Sequence, residues 1–128
     1  MILLLDTSTA TCRLTFVDGA TRHAYDWEAG RGLARGLHAY LRDRLAEHGW
    51  TFADIAGIGV MKGPGSFTGL RIGATVMNTI ADSAAVPIVG TTGDDWQDEA
   101  LARLMHSDND RLVVPFYGRP ARITTPRK

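Results

Sequence analysis

Gly63-Pro64-Gly65-Ser66-Phe67-Thr68-Gly69-Leu70-Arg71 is the stretch around which the chain is organised. Before it, Ile55-Ala56-Gly57-Ile58-Gly59-Val60-Met61 is a short apolar run that predicts a buried strand. After it, Ile72 to Ala84 is apolar at helical spacing. The stretch is therefore a strand-to-helix turn with three glycines, where the backbone can take positive φ and another backbone can come close. Ser66 and Thr68 are placed to cap the helix that follows. A glycine-rich turn feeding a helix N-terminus has two readings: tight packing of the turn on the sheet, or an anion site. It lacks the Lys-Ser or Lys-Thr of a Walker A loop and the G-x-G-x-x-G of a dinucleotide fingerprint.

Working outward, Ile2 to Leu5 is continuously apolar, as in a central strand covered on both faces. Cys12, Leu14 and Phe16 alternate with Arg13 and Thr15, which predicts a strand with one buried face. Asp18-Gly19 marks a hairpin, and Thr21 to Trp27 returns with His23, Tyr25 and Trp27 on one side. Leu33, Leu37, Leu41 and Leu45 recur every fourth residue and make one stripe of a helix that Gly49 ends. Pro87 to Gly90 is a short last strand. Asp94, Asp95, Asp98 and Glu99 suit the first turn of another helix, with an apolar stripe of Trp96, Ala100, Leu101, Leu104 and Met105. The order β-β-β-α-β-α-β predicts a mixed sheet with helices packed on it.

With 128 residues and 45% apolar content the chain suits one domain with a real core. A formal net charge of zero gives no bulk attraction to nucleic acid or anionic lipid. The single Cys12 excludes an internal disulfide and fits a reducing compartment. Met1 to Leu5 has no basic n-region, and no apolar run approaches membrane-spanning length, so a cytoplasmic protein is expected.

GPGSFTGLRIG closely resembles the signature of the TsaB family, the bacterial partner proteins of TsaD in making threonylcarbamoyladenosine on tRNA. Its members typically end in a P-x-Y-x-R segment, similar to Pro115-Phe116-Tyr117-Gly118-Arg119. The resemblance implies an α/β fold: a single actin-like ATPase (ribonuclease H-like) lobe with a mixed five-stranded sheet. Members normally carry two such lobes, so this chain resembles one shortened to its first lobe plus the C-terminal segment. Residues 1–92 would form that lobe, 93–117 a helix and short extended segment packed on it, and 118–128 a basic tail with Arg119, Arg122, Arg127 and Lys128. Members tend to carry a His near the start of the first helix, where this chain reads Arg31-Gly32-Leu33-Ala34.

No catalytic constellation assembles. Ser66 has no G-x-S-x-G context. The four histidines (His23, His38, His48, His106) lack zinc-ligand spacing, and Cys12 lies on a strand as core. Asp6, Thr7 and Ser8 sit where active members of the fold hold a carboxylate and phosphate loop. They read either as a remnant of that loop or as a strand end whose Asp bonds turn N–H groups. Neither metal nor cofactor is expected. The resemblance implies a non-catalytic scaffold in a heterodimer with a TsaD-like enzyme, with a TsaE-like ATPase as a further partner. It implies that tRNA is reached only indirectly, with no membrane contact, and leaves a homodimer open for the chain alone. Two alternatives stand beside it: a peptidase acting on TsaD, and a small nucleotide-binding module using Asp6 and the glycine turn.

The second helix has two apolar faces. Ile72, Val76 and Ile80 with Gly69 and Gly73 suit packing on the sheet. Leu70, Ala74, Met77 and Ala81 form a separate face, expected to be the edge of the partner contact. Arg71, Thr75, Asn78 and Asp82 complete the circle as a polar remainder.

Overall fold

The computed structural model describes residues 1–117, so the expected basic tail at 118–128 lies outside the described residues. Strands β1 (Ile2–Asp6), β2 (Thr11–Asp18) and β3 (Thr21–Glu28) lead into helix α1 (Leu33–Ala46). Strand β4 (Gly57–Met61), helix α2 (Phe67–Ala84), strand β5 (Ile88–Thr91) and helix α3 (Trp96–Met105) follow. One sheet holds all five strands in the order β3-β2-β1-β4-β5. The β1–β2 and β2–β3 pairs are antiparallel, and β1–β4 and β4–β5 are parallel. This is the mixed sheet with helices packed on it that the element order predicts, with the five strands that the TsaB resemblance implies.

The hairpin between β2 and β3 closes through Gly19 and Ala20, with Gly19 at φ +61°. A two-residue turn needs positive φ at its first position, which glycine adopts without a Cβ clash. Leu33, Leu37, Leu41 and Leu45 of α1 are all buried. They pack with Leu3, Leu5, Leu14, Phe16, Ile58 and Val60 from one sheet face and with Met77 and Ile80 of α2. Past the last turn of α1, the Gly49 N–H donates to Ala46 O and the Trp50 N–H to Leu45 O, both at 3.0 Å. With Gly49 at φ +75°, these two bonds close the helix end as a Schellman pair.

Helix α3 covers the opposite sheet face, packing Trp96 and Ala100 on Leu4 and Val89. Gly59 makes that approach possible: a Cβ there would lie 2.6 Å from Leu4 Cδ2 and 2.9 Å from the Ala100 Cβ. Two expectations are corrected here. Thr15, on the expected solvent side of β2, is buried because Gln97 Nε2 of α3 donates to its Oγ1 at 3.2 Å. Met105, expected in the apolar stripe of α3, is 83% exposed. It lies nine residues beyond Trp96, which at about 100° per residue is half a turn away.

The chain then doubles back along the outer edge of β5. Ile88 N–H donates to Asn109 Oδ1, Gly90 N–H to Asp110 Oδ2, and Asp110 N–H to Ile88 O. Arg103 pairs with both Asp108 and Asp110 and donates to Gly90 O. The loop thus occupies backbone groups that an edge strand would otherwise present to another chain.

Candidate functional site at the glycine turn

The end of β1 and the turn between β4 and α2 are fitted together through their backbones. Ser66 is the N-cap of α2, and its side chain accepts from the Gly69 N–H at 3.2 Å. Thr68 lies inside the helix. The buried Thr7 hydroxyl donates to Gly69 O at 2.7 Å, and the Ser66 N–H donates to Ser8 O at 2.8 Å. A Cβ on Gly65 would lie 2.6 Å from Ser8 O, and one on Gly69 would lie 2.3 Å from Thr7 O. Gly63, at φ +129° and followed by Pro64 through a cis peptide bond, faces the Phe116 carbonyl. Gly63, Gly65 and Gly69 thus each meet a neighbouring main chain, which favours the packing reading of the turn over the anion reading.

Asp6 Oδ1 accepts the Ser8 N–H at 2.8 Å, as a strand-end Asp would. It also lines a cleft of about 300 Å³ with Arg13, Arg22, Asp94, Asp95 and Asp98. Four carboxylates against two guanidiniums repel a polyphosphate there. Among the described residues no group of three or more His, Cys, Asp or Glu is arranged to hold a metal ion. Cys12 is buried, and burial, with Asp6 and Asp26 nearby, pushes its thiol up to about 12. A thiol held neutral in that way is core. The only hydrogen bond that Ser66 Oγ makes among the described residues is the helix cap, so nothing there activates it as a nucleophile.

The expected partner face is corrected. Leu70 is 2%, Ala74 3%, Met77 0% and Ala81 3% exposed. Helix α2 packs on β1, β4 and β5 of the chain's own sheet, and the C-terminal segment adds to the cover at Asn78. Asn78 lies beside these residues on the same side of α2, and its amide donates to Val113 O at 3.0 Å. In return the Val113 N–H donates to Asn78 Oδ1 at 2.8 Å. Val113 is seated in the core that includes Met77 and Ala81. Of the face expected to meet the sheet, Gly69, Gly73 and Ile80 are buried as expected, and Ile72 and Val76 are the part left open. Ile72 and Val76 are only half-buried and line a groove of about 350 Å³ with Ala34 of α1 and Thr68, Arg71 and Thr75. Past Thr68 and Ile72 the groove continues into a cleft of about 360 Å³ that includes Ala10, Arg31 and Leu33. A further hollow of about 330 Å³ between His38, Phe52, Thr79 and Ile80 lies toward the other end of the two helices. Sequence reasoning missed this groove. Its signal was present in Thr68, Ile72, Thr75, Val76 and Thr79, which fall within about 100° of one another around the helix.

Comparison with known proteins gives one consistent picture. The sequence model of the family described as TsaD, tRNA N6-adenosine threonylcarbamoyltransferase, matches residues 28–92. The chain is 31% identical over 122 residues to the tRNA threonylcarbamoyladenosine biosynthesis protein TsaB of Escherichia coli, covering 91% of this chain and 53% of that protein. It is 26% identical over 108 residues to the Haemophilus influenzae TsaB, covering 84% of this chain and 46% of the relative. Among solved structures, YeaZ from Pseudomonas aeruginosa superposes with a TM-score of 0.66 at 30% identity, over 71% of this chain and 43% of YeaZ. The chain spans about half the length of the curated TsaB relatives it matches.

Proposed function

The chain belongs to the TsaD family, among its TsaB members, and from that premise we propose that it acts in tRNA threonylcarbamoyladenosine biosynthesis as a non-catalytic subunit. It pairs with a TsaD-like enzyme in a heterodimer, and threonylcarbamoyl transfer takes place in that partner's site. The observation that carries this reading is the groove between α1 and α2. Half-exposed Ile72 and Val76 sit between the small side chains of Ala34, Thr68 and Thr75. Small residues let the ridge of a partner helix enter closely, and half-exposed apolar side chains gain by being covered. The resemblance to TsaB supports the same surface, since members pair through helices of the first lobe. The non-catalytic part of the reading is supported by Cys12 in the core, by Ser66 engaged as a cap and by the acidic balance around Asp6. A TsaE-like ATPase joins the assembly as a further partner.

The test is reconstitution. Purified chain is added to a TsaD-like enzyme with tRNA and threonylcarbamoyl-adenylate, and transfer to tRNA is measured. Transfer that rises with added chain and saturates as the pair forms supports the reading. Transfer that stays unchanged, with no co-elution of the two proteins, overturns it.

A further inference from the structure

The two edges of the sheet are treated differently. Asn109 and Asp110 cover the outer edge of β5, whereas β3, at the opposite end of the strand order, pairs with β2 alone among the described residues. β3 is eight residues long and holds no proline. Its register with β2 runs unbroken from Asp18↔Thr21 to Thr11↔Glu28, so no bulge turns the edge away. A two-residue hairpin closes on a pair that exchanges both main-chain hydrogen bonds, here Asp18 and Thr21, and such pairs recur at every second residue. Thr21, His23, Tyr25 and Trp27 therefore turn their N–H and C=O groups toward β2. Arg22, Ala24 and Asp26 turn theirs outward, and no main-chain group among the described residues meets them.

The side chains of these three residues are exposed, and their charges are of opposite sign on either side of Ala24. Arg22 donates to Gln97 at 2.9 Å and to Asp98 at 2.8 Å, which holds it on the α3 side of the sheet. Asp26 stands on the same side, 4.0 Å from Arg13. On the α1 side His23, Tyr25 and Trp27 are half-buried.

We propose that β3 pairs antiparallel with β3 of a second copy of this chain, about a two-fold axis at Ala24. Ala24 then faces Ala24 of the second copy, and each Arg22 faces the other copy's Asp26. Opposite charges directly across an antiparallel pair are favourable, where like charges would repel. The same three residues carry the outward main-chain groups, so the charge register and the hydrogen-bond register coincide. A slip by one residue would set outward groups against inward ones and break the ladder. On the α1 side His23 comes opposite Tyr25 of the second copy, and half-exposed rings gain cover. A foreign strand would need this charge pattern in reverse, and a second copy running antiparallel carries it by symmetry. The edge shares no residue with the groove between α1 and α2, so the dimer does not depend on pairing with a TsaD-like enzyme. It gives a surface to the homodimer that the TsaB resemblance leaves open.

The experiment uses the full chain alone. Sedimentation velocity of the wild type is expected to show a dimer at micromolar concentration. Ala24→Lys and Asp26→Lys each set like charges across the axis and should weaken it about tenfold or more. Both positions are exposed, so the variants keep the wild-type circular dichroism and melt. Ala24→Cys tests the register. The Cα atoms of a hydrogen-bonded pair lie about 5.5 Å apart, within the roughly 4.4–6.8 Å that a disulfide spans, so mild oxidation links the dimer covalently. Glu28→Cys lies off the axis and stays unlinked, as does the wild type, whose one thiol is the buried Cys12. The proposal is overturned by a monomeric wild type, or by equal linking through Ala24→Cys and Glu28→Cys. It is also overturned by a dimer that Val76→Arg dissociates and Ala24→Lys leaves intact, since self-association then uses the α1/α2 groove.

Discussion

The Thr7 hydroxyl donates to the carbonyl of Gly69 at 2.7 Å, and the Thr7 carbonyl occupies the space that a Cβ on Gly69 would need. One residue at the end of β1 thus fixes the first turn of α2 by a hydrogen bond and by main-chain contact. One turn further on, a Cβ on Gly73 would lie 2.2 Å from Thr7 Oγ1 and 3.2 Å from Thr7 Cγ2. The two glycines answer to different parts of the same threonine.

That difference can be measured. Gly69→Ala and Gly73→Ala each overpack the joint and are expected to cost about 1–3 kcal/mol, read by denaturant unfolding. Thr7→Ala removes the side-chain atoms that obstruct Gly73, so the Thr7/Gly73 pair should show a coupling of about 0.5 kcal/mol or more in a double-mutant cycle. The Thr7/Gly69 pair should gain no such relief from Thr7→Ala, because the obstacle there is the carbonyl that alanine keeps. Equal relief at both sites would contradict the assignment.

Asn78 holds Val113 through both its amide oxygen and its amide nitrogen. Asn78→Ala leaves the partly buried Val113 N–H and C=O without those partners, which costs about 1–3 kcal/mol for each group left unsatisfied. Hydrogen exchange at the Val113 amide should rise well above that of Ile88 or Val89. Ala74→Arg drives a charge into a site only 3% exposed and should unfold the chain. A cooperative, native-like melt for that variant would return the Leu70/Ala74/Met77/Ala81 face to the surface.

The order of elements along the chain, the α1 leucine stripe, the Asp18-Gly19 hairpin and the glycine turn were legible because each is written in neighbouring residues. The orientation of α2 was not. Its apolar residues make two faces, and no local rule says which meets the sheet. The face is set by long-range packing on β1, β4 and β5, and one bond of that side joins Asn78, which in sequence reads as polar surface, to Val113 across 35 residues. Thr15 was misplaced for the same reason: Gln97, which buries it, is 82 residues away. Met105 was a different error, since the spacing itself sets it half a turn from Trp96. At the turn, the residues were identifiable from sequence, but the packing reading became clear only when Thr7, Ser8 and Phe116 appeared opposite the glycines.

The latch at the edge of β5 should be sensitive to acid. Burial pushes the Asp110 carboxyl up, but the Arg103 guanidinium, the Gly90 N–H and Lys62 outweigh it and hold it below its ordinary value. Arg103 likewise holds Asp108 down. A carboxyl whose folded pKa is depressed stabilises the fold above its unfolded value of about 4, and that contribution is lost as pH falls through the folded value. Asp110→Asn should therefore be less stable than wild type at neutral pH, with the gap closing in acid below about pH 4. Urea unfolding across that range checks it; a gap independent of pH would contradict the latch.

The central claim is that this chain meets a TsaD-like enzyme through the groove between α1 and α2, and the most direct test is affinity measured on groove variants. Isothermal titration of the TsaD-like protein is run with wild type, Thr75→Arg and Val76→Arg. Thr75 is exposed and Val76 half-exposed, so both variants should keep the wild-type circular dichroism and melt. The account predicts a saturable complex with wild type and a loss of about a hundredfold or more in each variant, since a bulky cation would be forced into a packed contact. A wild-type chain that gives no complex, or folded variants that bind as tightly as wild type, would contradict it.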